Sequence, residues 1–286
     1  MIKRAFHLFL LVSIMASCAS EKDYLVTIHT GYGDMHAILF DDTPKHKENF
    51  IKLAKEGFYD SLLFHRVMKE FMIQTGDPES KYAVKNAPLG TGGPNYTIPA
   101  EFKENHFHKK GALSAARIPD NMNPNKESSG SQFYLVQGKT WTEKELTTDM
   151  EKLGMAAQQM MSRISQDSVK QLLINIYQKE GPEAYGAKLM EMKAYIEEVM
   201  EVDLTKEMNA ERMEAYTTIG GAPHLDDEYT VFGQVIDGLN VIDDIAAQPT
   251  DRRDRPVEDI RMSVKIEELP KKKISKLYGY EYPKED

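Results

Sequence analysis

The sequence predicts a mainly β fold that is interrupted by one long helical segment. Short runs of β-branched and aromatic residues, separated by turn residues, occur on both sides of that segment, and several alternate apolar with polar residues. Residues 141–220 differ, because they contain 9 of the 16 methionines, almost no β-branched runs, and apolar residues at helical spacing. We therefore expect a β domain with an inserted α-helical subdomain.

Length, composition and charge limit the possible classes of function. The chain has 286 residues, and its 41% hydrophobic and 28% charged residues are typical of a soluble globular protein of one large or two small domains. The net charge of −9 argues against nucleic acid as a partner, because phosphate binding requires a basic surface. No run of about 20 apolar residues occurs beyond the N-terminus, so no other membrane span is expected.

The N-terminus has the pattern of a secretory signal peptide over residues 1–17. Lys3 and Arg4 precede a short apolar stretch, and small residues come directly before Cys18, the only cysteine. This arrangement resembles a bacterial lipoprotein processing site, in which Cys18 would become the lipidated first residue. The alternative is ordinary cleavage nearby with an unused thiol. The prediction is an extracytoplasmic, membrane-anchored lipoprotein that is periplasmic or outer-membrane associated.

The first ordered elements are predicted to be a hairpin and a helix. Residues 25–30 and 35–40 are rich in β-forming residues, and the glycine-containing turn between them predicts a hairpin. Thr43 followed by Pro44 is typical of a helix start. Apolar residues then recur at helical spacing until Gly57, which is expected to end the helix.

The stretch from 64 to 77 carries the residues with the clearest chemistry. Apolar and polar residues alternate on both sides of a bend at 69–70, which predicts two short strands around a corner. Arg66, Met72 and Gln74 have even spacing, so they can share one face of these strands. A permanent cation beside apolar groups is suited to holding a carbonyl over a dry surface.

The remaining strands and one further helix are predicted from the same apolar periodicity. Strands are predicted over 111–117, 132–136 and 260–266, with a return to the β domain over 225–235 and a helix over 239–247. The charged tail from Lys271 is expected to be loose.

Within the insertion, Gly181-Pro182 predicts a break between two helical halves, and Asp203 is a candidate cap for a last helix. The methionine-rich face is interpreted as a core between the helices or as an adaptable apolar surface for client chains or a partner.

Three stretches in one order resemble the cyclophilin-type peptidyl-prolyl isomerases. They are Phe-His-Arg leading into Phe-Met-x-Gln-x-Gly-Asp over 64–77, the segment 111–117 followed by 129–134, and Leu225 with 229–235. The resemblance implies a closed eight-stranded antiparallel barrel with capping helices. Its parts would be residues 18–140 and 221–270, with the insertion at 141–220 and the charged tail at 271–286.

The resemblance implies catalysis of rotation about Xaa-Pro peptide bonds, with Arg66 as the catalytic residue and with no cofactor or metal. A guanidinium placed against the prolyl nitrogen would favour the twisted state over the planar one. As an alternative, Arg66 could be a structural ion-pair residue. His65 is expected to have a structural role, and His106 and His108 are expected at the surface.

Substrate-binding roles follow from the same resemblance. The proline pocket would be formed by Phe71, Met72, Tyr134 and Leu225, although Phe71 could instead be plain core. The peptide would be held by Gln74, Gln132 and the backbone of Ala116 and Arg117, with His224 and Tyr229 at positions that vary among family members.

The partners expected are proline-containing polypeptides or unfolded extracytoplasmic clients, the membrane through a lipid anchor, and a protein partner through the insertion. A rival interpretation is a client-binding holdase or interaction module on the same scaffold, with incidental catalysis.

Overall fold

The computed structural model describes residues 21–163 and 167–283, and its main feature is a nine-stranded antiparallel sheet. The predicted signal peptide over 1–17 and the proposed lipidation residue Cys18 lie outside the described residues. Within the described ranges, none of the helices combines the length and apolarity that a membrane crossing requires.

The predicted hairpin and first helix are confirmed. Strands β1 (Lys22–Thr30) and β2 (Gly33–Leu39) pair in register across a short turn, and helix α1 (Pro44–Lys55) begins after Thr43. Gly57 lies just beyond the helix with φ +69°, a conformation that glycine adopts without strain.

The corner in the stretch from 64 to 77 is also confirmed. The strands are β3 (Leu62–Leu63), β4 (Arg66–Met68) and β5 (Met72–Thr75), and Glu70 makes the bend with φ +61°. Strand β4 pairs with β5 so that Arg66 lies opposite Gln74.

The other strands lie near the predicted positions. They are β6 (Thr97–Ile98), β7 (Ala112–Ala115), β8 (Ser128–Ser129), β9 (Phe133–Val136), β10 (Val231–Asp237) and β11 (Arg261–Pro270). The main sheet has the order β3-β11-β1-β2-β10-β7-β9-β5-β4, and β6 pairs with β8 separately.

The expected closed eight-stranded barrel is wrong in strand number and in closure. The sheet has nine strands and remains open between β3 and β4, which are its two edges although only two residues separate them in sequence. Leu63 at the end of β3 and Arg66 at the start of β4 are three residues apart, a distance that the chain spans with at most about 11 Å. The two edges therefore lie close together, and the sheet must curl. The described strands β3 and β4 do not pair with each other, and the Thr75 hydroxyl on β5 donates to the Leu63 carbonyl of β3 at 2.9 Å.

The sheet separates two groups of buried side chains. The inner face packs against α1 and α8 (Leu239–Ala246) around residues that include Phe50, Tyr59, Ile73, Leu113, Phe133, Leu135 and Ile242. The other face carries a smaller cluster that includes Met72, Tyr134, Val136, Leu225 and Val231. Because strand residues alternate between faces, Arg66 and Gln74 lie on the same face as Met72 of the second cluster.

The insertion is helical, as predicted. Its helices are α2 (Glu143–Leu146), α3 (Met150–Arg163), α4 (Asp167–Glu180), α5 (Pro182–Glu191), α6 (Lys193–Met200) and α7 (Ala210–Thr218). The break at Gly181 is confirmed, whereas Asp203 caps no helix: it accepts from the Thr205 backbone, and Asn209 caps α7.

The insertion consists of two parts. Helices α3–α6 enclose a core of their own, which includes Leu153, Met160, Leu173, Met190 and Ile196. Helices α2 and α7 pack instead around Phe107 of the β domain, through Leu146 and Tyr216. The two parts meet at a narrow neck, where the Asp149 N–H donates to the Leu204 carbonyl at 2.9 Å.

The tail departs from expectation. Residues from Lys271 form helix α9 (Lys271–Tyr278), and Ile274 is fully buried against Leu25 and Leu269. Tyr280 and Tyr282 pack beside the same cluster. The expectation of a loose tail is therefore wrong for residues 271–283, because apolar side chains at helical spacing pack it against strands β1, β2 and β11.

Candidate active site

The site is built on a row of residues that crosses four strands on one face of the sheet. Arg66 on β4 pairs with Gln74 on β5, Gln74 with Tyr134 on β9, and Tyr134 with Ser114 on β7. Directly opposite residues of neighbouring strands lie on the same face. The even spacing of Arg66, Met72 and Gln74 therefore places them together, as predicted.

A cavity of about 310 Å³ lies over this row. It brings together nine of the predicted residues: Arg66, Phe71, Met72, Gln74, Ala116, Arg117, Tyr134, Leu225 and Tyr229. Two more adjoin it, since Gln132 is bonded to Gln74 and the His224 ring lies 5.2 Å from that of Phe71, centroid to centroid. The sequence did not predict four further lining residues: His65, Leu89, Gly90 and Arg253.

Arg66 is at one end of the cavity and its side chain is 42% exposed. Nη1 donates to Gln74 Oε1 at 3.4 Å, Nη2 lies 3.0 Å from the Met68 sulfur, and Nε lies 3.8 Å from an Asp254 carboxylate oxygen. These contacts orient the guanidinium but are long or weak, so donors remain for a bound peptide.

A chain of amides leads from Arg66 to the glycine-rich loop at residues 90–93. Gln74 donates to Gln132 Oε1 at 3.0 Å, and Gln132 donates to the Gly92 carbonyl at 2.8 Å. Asp77 fixes the same loop from below, because its buried carboxylate accepts from the Gly90 N–H at 2.5 Å. The loop is therefore held rigidly along one side of the cavity.

The apolar part of the cavity has a buried floor and a partly exposed rim. Met72, Tyr134 and Leu225 are buried, whereas Phe71 is partly exposed and His224 is exposed beside it. Phe71 is thus an accessible wall rather than plain core. An apolar floor under a half-open aromatic rim can hold a small apolar ring.

Arg117 forms the opposite wall with its side chain already engaged. Its guanidinium lies 4.4 Å from the centroid of the Tyr229 ring, and Nε donates to the Glu228 carbonyl at 2.9 Å. It also pairs with Asp120 and Glu228. Arg117 therefore stiffens the wall through cation–π and ionic contacts.

The backbone of Ala116 is also in use. Its N–H donates to the Gln132 carbonyl at 3.0 Å, and its own carbonyl accepts from the Ser129 N–H at 2.7 Å. A bound peptide would have the second lone pair of that carbonyl.

His65 lies where this cavity meets a second one of about 640 Å³, which is lined by Asn86, Pro88, Asp251, Arg252 and other residues. The ring is 5% exposed, and neither ring nitrogen has a hydrogen-bond partner in the described part of the chain. Burial lowers the pKa of His65 to about 4 despite the attraction of Asp77, so the ring is neutral at pH 7.

Comparison with known proteins identifies the family. The family model for cyclophilin type peptidyl-prolyl cis-trans isomerases matches residues 25–160 and 199–266. A Staphylococcus aureus protein named a putative peptidyl-prolyl cis-trans isomerase is 33% identical over 253 residues, which cover 87% of this chain and 94% of the relative. The chain belongs to the cyclophilin family.

Two further similarities accompany this one. A putative bifunctional phosphatase/peptidyl-prolyl cis-trans isomerase of Streptococcus pyogenes is 34% identical over 241 residues, covering 82% of this cyclophilin and 37% of the relative. A crystal structure of a Cryptosporidium parvum cyclophilin type isomerase is 20% identical and covers 86% of this chain and 98% of its own, with a TM-score of 0.49. The same protein crystallised in the presence of the dipeptide Ala-Pro has a TM-score of 0.48.

The site of this cyclophilin offers a cation, amides and an apolar hollow. Among the described residues, no three histidine, cysteine or acidic side chains are grouped as a metal site would require. The expected surface position of His108 is wrong, because the ring is fully buried beneath Tyr134. No local pattern marks it, since its partners come from distant segments.

Proposed function

We propose that this protein accelerates cis–trans isomerisation of Xaa-Pro bonds in extracytoplasmic polypeptides and so assists their folding. The observation that carries the proposal is the position of Arg66, which faces the same cavity as the buried floor of Met72, Tyr134 and Leu225. A proline ring bound on that floor would turn its nitrogen towards the side of the cavity that Arg66 lines.

The chemistry requires only positioning and one donor. The peptide bond resists rotation with a barrier of about 18–20 kcal/mol because resonance gives it double-bond character. As the bond twists, the prolyl nitrogen regains its lone pair and becomes a better acceptor. A guanidinium donating to that nitrogen stabilises the twisted state more than the planar state, and this difference lowers the barrier.

The other predicted residues then have separate tasks. The floor and the Phe71 rim immobilise the proline ring, and Gln74 with Gln132 presents polar groups to the preceding peptide. His224 and Tyr229, at the edges, would influence which neighbouring side chains are accepted.

The decisive test replaces Arg66. Arg66→Ala should lower kcat/KM for Xaa-Pro tetrapeptides by at least about a hundredfold, because one preorganised donor is worth roughly 2.7–4 kcal/mol in the transition state. Arg66→Lys keeps the charge but loses the planar fork, and should recover only part of the activity. Arg252→Ala is the matched control, since Arg252 is exposed and does not line this cavity. An unchanged rate in Arg66→Ala would contradict the proposal.

The proposed location rests on the N-terminal sequence. Lipidation of Cys18 would attach the enzyme to a membrane after removal of residues 1–17. Expression in a bacterial host with a labelled fatty acid should give a labelled membrane protein, and Cys18→Ser should remove both the label and the membrane association. A labelled Cys18→Ser protein would overturn this assignment.

A second candidate function is client holding by the insertion. It is favoured by exposed apolar side chains on the helical bundle, with Met155 50% and Tyr177 57% exposed. If both functions exist, Arg66→Ala should still suppress aggregation of an unfolded protein at the wild-type level. Loss of both activities in that variant would argue against a separate holding surface.

A further inference from the structure

A buried chain of hydrogen bonds links the floor of the site to the helical insertion. The Tyr134 hydroxyl lies 3.0 Å from His108 Nε2, and His108 Nδ1 lies 3.0 Å from Asp226 Oδ1. At the far end the Tyr216 hydroxyl, on α7, donates to Asp226 Oδ2 at 2.6 Å. Four side chains therefore connect the cavity with the insertion.

The protonation states follow from burial. Burial lowers the pKa of His108 and raises that of Tyr134, so at pH 7 the imidazole is neutral and the phenol keeps its proton. The Asp226 carboxylate only accepts, so we assign the imidazole proton to Nδ1. Nε2 is then the acceptor for the Tyr134 hydroxyl, and every bond in the chain has a defined direction.

Asp226 is the junction of this chain. Besides the two side chains, its carboxylate accepts from the His108 backbone N–H at 2.9 Å, and Arg212 of α7 lies 3.5 Å away. Asp226 directly follows Leu225, another residue of the floor. Contacts from α7 thus act on Asp226, which is covalently attached to Leu225 and is hydrogen-bonded through His108 to Tyr134. Both Leu225 and Tyr134 belong to the floor.

An alternative partner for the Tyr134 hydroxyl lies close by. Ser114 is paired directly with Tyr134 across β7 and β9, and its buried hydroxyl lies close enough to the phenol to oppose the effect of burial on the pKa of Tyr134. If the contact with His108 is lost, the phenol can donate to Ser114 instead. The chain through Asp226 therefore keeps the phenol on His108.

We propose that α7 of the insertion positions the proline pocket, with Tyr216, Asp226 and His108 acting as positioning residues for Tyr134. This inference rests on the proposed isomerase function. The two parts of the insertion then differ in role: α2 and α7 brace the site, and the bundle α3–α6 packs around a separate core.

The first test is a double-mutant cycle between Tyr216 and Tyr134. Tyr216→Phe removes one hydroxyl and keeps the ring, and should lower kcat/KM for Xaa-Pro tetrapeptides by about three- to tenfold, because Asp226 loses one of its donors. In a Tyr134→Phe background the same change should have a clearly smaller effect, since no phenol remains for His108 to hold and only the attachment of Asp226 to Leu225 is left. An equal loss in both backgrounds would overturn the proposal.

The matched control is Tyr195→Phe. Tyr195 lies on α6 of the bundle, and its hydroxyl has no hydrogen-bond partner in the described ranges. This variant should keep wild-type activity. All rates are measured at a temperature at which the thermal unfolding curve of each variant shows it to be fully folded. A lower rate then reports a change in the site and not a loss of stability. A Tyr195→Phe loss equal to that of Tyr216→Phe would also overturn the proposal.

A second measurement does not depend on activity. In protein with ¹³C-labelled tyrosine, the ring signals of Tyr134 are those that disappear in Tyr134→Phe. They should shift or broaden in Tyr216→Phe and stay unchanged in Tyr195→Phe. If Tyr216→Phe does not fold, Arg212→Lys, which weakens the other α7 contact with Asp226, should shift the same signals.

The two proposals fail in different ways. An inactive wild-type protein would remove the isomerase function, and the Tyr134 signals would then decide the linkage alone. Active wild-type protein with unmoved Tyr134 signals in Tyr216→Phe would leave the isomerase function standing and refute the linkage.

Discussion

The surroundings of Arg66 leave its guanidinium able to donate hydrogen bonds to a substrate. Its nearest carboxylate, Asp254, lies 3.8 Å from Nε and is itself exposed, so water weakens the attraction between them. By contrast, Arg117 is buried and fully engaged with Glu228, Asp120 and Tyr229. The two arginines of one cavity therefore differ in role: Arg66 can donate to a substrate, and Arg117 supports a wall.

At the residue scale, His65 should make stability depend on pH. Its pKa is about 4 in the folded protein, against 6.5 for an ordinary histidine, so below pH 6.5 the unfolded chain takes up a proton that the native state does not. The free energy of unfolding should therefore fall by roughly 3 kcal/mol as the pH drops from 6.5 to 4, on account of this group alone.

Urea unfolding at several pH values checks this. His65→Gln, which cannot titrate, should have a smaller acid-induced loss than the wild type. Equal slopes in wild type and His65→Gln would contradict the prediction.

At the scale of elements, the corner after β5 depends on a glycine. Gly76 has φ +90°, and a Cβ at this position would lie 2.2 Å from the Ser131 carbonyl oxygen. This close approach lets the Ser131 hydroxyl donate to the Gly76 carbonyl at 2.8 Å, and it fixes the start of β9 beside β5.

Gly76→Ala should therefore destabilise the protein by about 3 kcal/mol or more, because both the backbone conformation and the contact with β9 become strained. Gly154→Ala is the control: Gly154 lies in α3 with no atom near a new Cβ, so this change should stabilise by up to about 1 kcal/mol. Thermal unfolding of the two variants measures the difference, and equal melting temperatures would refute it.

The elements also show where sequence patterns are insufficient. The strands around Arg66 follow from alternation, which is a local property of the backbone. Helix α9 was missed because its lysines dominate the composition, whereas its buried residue Ile274 depends on Leu25 and Leu269, far away in the chain. The cap at Asn209 rather than Asp203 depends on where the chain leaves the neck of the bundle.

At the scale of the whole molecule, the two parts of the insertion should be separable. The antiparallel bridge between Thr148 and Thr205 brings the ends of the bundle together. Replacing residues 149–204 by Asn-Gly, a dipeptide suited to a tight hairpin turn, should leave α2, α7 and the site intact. We expect a folded protein with tetrapeptide activity within about threefold of the wild type, since shortening a surface loop changes closure entropy little.

The comparison for this excision is removal of residues 141–220, which also removes Tyr216 and uncovers Phe107. That protein should have lower activity and a lower melting temperature than the first. Circular dichroism and the isomerase assay distinguish the two. If both excisions gave the same activity and stability, α2 and α7 would have no special role.

Most strands and helices in their order, the family motifs, and the common face of Arg66, Met72 and Gln74 follow from the amino-acid pattern. Residue identities give the motifs, and backbone periodicity gives the common face, because side chains alternate along any strand. The opening of the sheet between β3 and β4 and the burial of His108 between Tyr134 and Asp226 are visible in the folded protein alone. Those features depend on which distant segments pack together, and local patterning does not specify the partner of a buried polar group.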